Sequence, residues 1–144
     1  MSLYNWLPSG EPYSTWGLGD SNSDGSYLYG VYRFSSGALL QSTDKGASWV
    51  VIDPTGGVDP TQWWTIACNA LGDRVYALGS SRLYTSDDYG ATWTDRGSAA
   101  GTTNNFFSRT NLSGQYLLVG LQGIIRVSSD YGVSWDTAVN PGSL

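Results

Sequence analysis

The sequence predicts an all-β fold of three repeated units, each made of four short antiparallel strands joined by tight turns. Three observations carry this expectation. An eight-residue pattern recurs three times at a nearly constant interval. Each copy sits at the same place in a series of short β-rich runs. The composition also favours strands and turns: of 144 residues, 40% are hydrophobic and 14% aromatic, only 13% are charged, and 19 are glycine. Aromatic and β-branched residues suit a half-buried pleated surface, while Gly, Ser, Asn and Asp build turns.

The repeat is taken first because it sets the frame for everything else. Residues 42–49 read S-T-D-K-G-A-S-W, residues 86–93 read S-D-D-Y-G-A-T-W, and residues 128–135 read S-S-D-Y-G-V-S-W. The central aspartates Asp44, Asp88 and Asp130 lie 44 and 42 residues apart. The first unit, residues 8–52, opens with a strand around 15–18. Strands at 27–32 and 38–42 follow, separated by a turn at 35–37, and a fourth begins at Trp49. The second unit, residues 60–96, repeats this with strands at 63–67, 74–78 and 82–86 and a fourth from Trp93. The third, residues 104–139, does so with 105–109, 115–119 and 124–128 and a fourth from Trp135. An extra strand is expected at residues 3–6, Leu3-Tyr-Asn-Trp6, and the whole of 1–144 is read as one domain. Three units of four strands are the rhythm of propeller blades and equally of a β-trefoil.

The pattern resembles the Asp-box, or BNR repeat, of sialidases, sortilin-type receptors, certain xyloglucanases and a photosystem assembly factor. The resemblance spans nearly the whole chain and favours propeller blades, with the trefoil as runner-up. It implies that the box is the hairpin between the third and fourth strands of each blade, at the periphery, with a structural role. The residues that would fill that role are Ser42, Asp44, Gly46 and Trp49, then Ser86, Asp88, Gly90 and Trp93, then Ser128, Asp130, Gly132 and Trp135. Their chemistry fits independently. Each Asp can accept N–H groups of its own turn, each Gly suits a positive φ, and each Trp can cover the hairpin with apolar area.

Propellers close with typically 4–8 blades, and three would leave two apolar sheet faces uncovered. The ring is therefore expected to be completed by association, a dimer with C2 symmetry giving six blades. The N-terminal strand at 3–6 would then latch a neighbouring blade. The Met start suggests a complete chain.

Composition excludes several functions. Seven basic residues against twelve acidic, with one lysine, leave a net charge of −5, poorly suited to displacing counterions from nucleic acid. No histidine and one cysteine cannot build a zinc site or an internal disulfide, and no cofactor is expected. No apolar run approaches a membrane span and no signal peptide is evident, so a soluble protein, in a virion or elsewhere, is expected. A sialidase-like site would need an arginine cluster with a Tyr–Glu pair. The only glutamate, Glu11, sits in a Pro-flanked loop segment, which removes that apparatus. Asp20, Asp24, Asp53, Asp59, Asp73, Asp87, Asp95 and Asp136 stand in turn-like contexts and are read as turn residues. The stretch 20–25 lacks the closing glutamate of a calcium loop. Cys68 reads as a buried small hydrophobe, and Asn111-Leu-Ser113 as a turn.

Aromatics are the remaining resource. Trp16, Trp63, Trp64, Phe106 and Phe107, with Tyr13, gather where the units begin. Tyr89 and Tyr131, inside two boxes, are placed at an exposed rim. Trp16, Trp63, Trp64, Phe106, Tyr89 and Tyr131 are the candidate ligand or partner contacts. The expected function is a non-enzymatic, self-associating scaffold or recognition component of a larger assembly, such as a viral (phage) tail or capsid appendage. Its partners would be itself and other structural proteins or glycans, not nucleic acid or membrane. The alternative is a lectin-like carbohydrate-binding module, and more distantly a glycoside hydrolase fragment.

Overall fold

The computed structural model describes residues 16–32, 37–57, 62–79, 82–98, 105–121 and 124–136. Among them are eleven strands and no helix. Strands β1 (Trp16–Ser21), β2 (Leu28–Tyr32), β3 (Ala38–Ser42) and β4 (Val50–Ile52) form one antiparallel sheet in chain order. Strands β5 (Trp63–Cys68), β6 (Val75–Gly79), β7 (Leu83–Ser86) and β8 (Thr94–Asp95) form a second in the same order. Strands β9 (Asn105–Thr110), β10 (Leu117–Leu121) and β11 (Ile124–Ser128) form the third.

The third sheet carries one further backbone bond along β11. The Asp136 N–H donates to the Val127 carbonyl at 2.9 Å, the same place in the motif's frame where Thr94 pairs with Thr85 in the second sheet. The remainder of the fourth strand expected from Trp135, the N-terminal strand expected at 3–6, and Tyr13 lie outside the described residues.

Each sheet is a meander closed within its own unit, and β5 packs between β1 and β9. These are propeller blades. A trefoil, which pairs strands of different units into one barrel, has a different sheet order. Length and spacing left the two open; strand pairing separates them. The innermost pair of each blade carries a register shift near its end: between Trp16 and Gly19, between Trp63 and Thr65, and at Gly120/Leu121. Such bulges bend and twist a strand locally.

The core lies in the two seams between blades. Side chains alternate along a strand, so every blade offers one face to each neighbour. Tyr29, Val31 and Leu39 of the first blade meet Ile66, Val75 and Ala77 of the second. On the other side Tyr76, Leu78 and Leu83 meet Leu117 and Val119 of the third, with Ile124 and Trp135 packed alongside. Leu39 and Leu83, each central in its seam, are fully buried. Burying such a leucine stabilises by roughly 1.5–3 kcal/mol.

Candidate functional site

The eight-residue motif is a closed hydrogen-bond circuit. In the first copy the Ser42 hydroxyl donates to Asp44 Oδ1 at 2.8 Å and accepts the Gly46 N–H at 2.8 Å. Asp44 also accepts the Ser48 N–H at 2.8 Å and the Ser48 hydroxyl at 2.5 Å. Ser86, Asp88, Gly90 and Thr92 repeat the circuit at 2.8, 2.8, 2.8 and 2.6 Å. Ser128, Asp130, Gly132 and Ser134 repeat it at 2.8, 2.9, 2.8 and 2.5 Å. The Ser48 and Ser134 hydroxyls and N–H groups, aided by Ser42 and Ser128, hold the Asp44 and Asp130 carboxyls down at about 2. Asp88 is lowered in the same way by Thr92.

Both Gly46 (φ 87°) and its predecessor Lys45 (φ 60°) are left-handed, as are Tyr89–Gly90 and Tyr131–Gly132. Only the glycine of each pair was expected to be. A side chain at such a φ is uncommon and costs energy, and here it throws the residue before the glycine outward. The indoles behave as covers: Trp93 packs on the first seam and donates its N–H to the Gly90 carbonyl at 2.9 Å, and Trp135 packs on the second.

The turn-like contexts expected at Asp24 and Asp73 and the turn expected at Asn111-Leu-Ser113 prove to be copies of one repeated turn. Asn22, Asn69 and Asn111 each begin the turn between a blade's first two strands, and Gly25, Gly72 and Gly114 each stand three residues on with φ of 70°, 84° and 83°. Each asparagine Oδ1 accepts the N–H five residues later, from Tyr27, Arg74 and Tyr116, at 3.0, 3.2 and 3.0 Å. The signal available was N-x-x-G, three times in step with the motif. It was overlooked because the intervening residues share nothing.

These turns and the motifs clip one blade to the next. The Ser23 N–H donates to the Ala70 carbonyl at 2.9 Å, and the Ala70 N–H to Leu112 at 3.0 Å, so the three turns form a row. The Tyr29 hydroxyl donates to the Gly72 carbonyl at 2.9 Å, and the Tyr76 hydroxyl to Gly114 at 2.6 Å. Burial pushes the Tyr76 hydroxyl up to about 12 and raises Tyr29 as well. The Gln41 amide donates to the Tyr89 carbonyl of the next motif. Asp20, expected in a turn, instead ends in the first seam from within β1. Its Oδ2 accepts the Cys68 N–H at 3.0 Å. Cys68 itself is buried, and burial pushes its thiol up to about 12.

The candidate contact residues divide. Trp63 is 4% exposed and belongs to the first seam's core, edge-on to Tyr84 with ring centroids 5.5 Å apart. Trp64, on the opposite face, is half-buried and with Trp63, Gln62 and Gly37 lines a cavity of about 100 Å³. Tyr89 stacks on Tyr27 with centroids 4.6 Å apart at 28°, and Tyr131 is half-buried beneath Arg74, 4.1 Å from its ring centroid. Tyr89 is 40% exposed, as expected of a rim residue, whereas Tyr131 is partly covered by the preceding blade. The side chains of Trp16 and Phe106 lie outside the described residues. Arg82, at the blade edge, pairs with Asp95 at 2.5 Å.

Several of the other aspartates serve turns: Asp24 accepts the N–H and hydroxyl of Ser26, and Asp53 accepts Thr55 and Gly57. Among the described residues no three His, Cys, Asp or Glu side chains gather as a metal site would require. No helix among them is long and apolar enough to cross a membrane.

The two ends of the row differ from its middle. A Cβ on Gly72 would meet Asn22 and Tyr27 at 3.1–3.2 Å, and one on Gly114 would meet Arg74 at 2.9 Å, because the preceding blade covers each turn. At the equivalent Gly25 a Cβ would have nothing within 4 Å among the described residues. At the other end Ile125, which occupies the place of Leu39 and Leu83, is 37% exposed.

No protein-family model matches the sequence, and no curated protein does. Solved structures show the fold. The chain is similar to one described as YCF48 bound to D1 peptide, at 15% identity and TM-score 0.68, covering 86% of this chain and 40% of that one. It is similar to a chain of a nidogen/laminin complex, at 15% identity and TM-score 0.69, covering 87% and 49%. A GH74 enzyme of Niastella koreensis is similar at 26% identity and TM-score 0.63, covering 88% and 18%. These are β-propeller proteins, some enzymes and some not. The chain spans half or less of the length of each.

Proposed function

We propose that this protein is half of a β-propeller, which pairs with a second copy to close a six-bladed ring and serves as a non-enzymatic scaffold or recognition component of a larger assembly. A viral tail or capsid appendage is the setting its composition suits, being rich in Gly, Ser and aromatics and poor in lysine. The observation that carries the reading is the mismatch at the ends: Gly25 is bare where its two equivalents are covered by a preceding blade. Propeller neighbours in which this chain spans 40% and 49% of the length support it, since about two such spans make one of those chains. The three motifs act in this reading as structural Asp-boxes, each carboxylate being consumed by its own hairpin.

Light scattering on the purified chain tests the reading. A species of twice the chain mass, ring-shaped in electron micrographs, supports it, and a monomer at high concentration refutes it.

A lectin-like role is the second reading, favoured by the cavity beside Trp64. An aromatic face there could stack on a sugar, but about 100 Å³ is well below the roughly 300–1,000 Å³ of ordinary ligand pockets. Glycan binding that disappears on Trp64→Ala would bring this reading forward. Hydrolysis of a glycoside by the purified protein would displace both.

A further inference from the structure

We propose that the third blade of one copy docks on the first blade of the other, with Lys45 of the partner subunit set over the Tyr116 ring. This rests on the self-association proposed above and adds where the copies meet and what chemistry joins them.

The two seams inside the chain supply the template. At each, the last residue of an N-x-x-G turn lies against the left-handed residue of the next blade's motif: Tyr27 on Tyr89, then Arg74 on Tyr131. The third turn offers Tyr116, 51% exposed, and among the described residues no fourth blade supplies a motif to meet it. The motif left without a preceding turn is the first, whose left-handed residue is the exposed Lys45. An ammonium over an aromatic face is attracted to it. The junction therefore reproduces the Arg74–Tyr131 pair with cation and ring exchanged. Two unlike ends of one chain carry complementary halves of a contact made elsewhere within it.

The apolar faces agree. Leu118, Ile125 and Val127 point away from the second blade, since Leu117, Val119 and Ile124 point toward it. Phe107 lies across Gly120 on the same outward face, where a Cβ would meet the Phe107 ring at 2.1 Å. Leu118 and Val127 stand where the first blade has Tyr29 and Gln41 and the second has Tyr76 and Thr85. At these two positions the end has exchanged hydroxyls and an amide for hydrocarbon, the shift expected between a seam within a chain and the core of a homodimer interface. Arg109, cross-strand from Leu118, stands where the first blade has Asp20. On the first blade the cross-strand pair Gly19–Gly30 takes the place that Ile66–Ala77 fills in the second. Bulk is thus missing on the receiving face where Phe107 adds it on the entering one.

The backbone row continues in the same sense. Ser23 donates to Ala70 and Ala70 to Leu112, so the Leu112 N–H is next in line and the Ser23 carbonyl of the partner subunit is its counterpart. That contact also covers Gly25, bare in the single chain.

The test is a cysteine pair. Residues bonded backbone to backbone across a seam lie close enough for a disulfide, and the native Cys68 is buried and does not compete. Ser23→Cys with Leu112→Cys in one chain should give, on mild oxidation, a covalent dimer on a non-reducing gel. Lys45→Glu and Tyr116→Ala should each weaken the dimer about five- to thirty-fold, because the ring holds two such junctions, while Lys45→Arg should not. A dimer that neither cross-links nor responds to Lys45→Glu overturns this junction and leaves self-association standing. A monomeric wild type overturns both. Should the double-cysteine chain fail to fold, the variants at the exposed Lys45 and Tyr116 decide alone.

Discussion

The Tyr76 hydroxyl donates to the Gly114 carbonyl at 2.6 Å across the second seam, and so ties the middle of one blade to the turn of the next. Tyr29 makes the same bond to Gly72 across the first seam. Blades of a propeller share no strand pairing, so bonds of this kind are what fix their relative position beyond apolar packing.

Tyr76→Phe keeps the ring and its packing but leaves the Gly114 carbonyl without its donor. The expected loss is about 1–3 kcal/mol, the cost of a buried group left unsatisfied. Urea denaturation should show a lower midpoint with an unchanged slope. An unchanged midpoint would mean that water replaces the hydroxyl and that the seam is wetter than its burial implies.

Ser86→Ala removes the buried hydroxyl that bonds both Asp88 and the Gly90 N–H. A loss of about 1–2 kcal/mol is expected, read as a fall of several degrees in the melting temperature. Ser86→Thr should recover part of it.

Gly25→Ala and Gly114→Ala separate backbone from packing. Both positions have a positive φ, which costs a side chain roughly 1–2 kcal/mol. At Gly114 a Cβ also meets Arg74 at 2.9 Å, while at Gly25 it meets nothing within 4 Å among the described residues. The Gly114 variant should therefore be clearly the less stable chain in thermal melts under conditions that keep the protein monomeric. Equal losses would show that the second seam yields freely.

Acid should weaken the motifs in a defined window. The Asp44 and Asp130 carboxyls lie at about 2, below their ordinary 3.8, because serine hydroxyl and N–H groups stabilise the charged form. A group depressed on folding adds stability that is complete above the unfolded value and is lost as pH falls through the folded one. Stability from this source should be flat from pH 7 to 5 and fall from about pH 4 to 2. In Asp44→Asn/Asp130→Asn that acid limb should be shallower, as measured by urea midpoints at each pH.

Much of the blade was legible in the sequence because its causes are local. The spacing of the motif, the strand-forming runs and the turns at 111–113 and around Asp53 depend on neighbours within a few residues. The hairpin circuit of Ser42, Asp44, Gly46 and Ser48 is likewise contained in one stretch of chain. The turns at Asn22, Asn69 and Asn111 are local too, but that they are copies of one N-x-x-G turn is masked by their varied intervening residues. Tyr131 and Asp20 were misplaced for another reason: what each touches comes from a different blade.

The sequence by itself determined that the chain is all-β, that it has three units, and that each unit ends in the same carboxylate-centred hairpin. Periodicity and short-range hydrogen bonding suffice for that. Only the tertiary structure decided between blades and trefoil, put Trp63 in a core, and showed Gly25 and Ile125 lacking the cover their equivalents have. Those facts depend on which sheet face meets which, and strand pairing alone, not spacing along the chain, sets that.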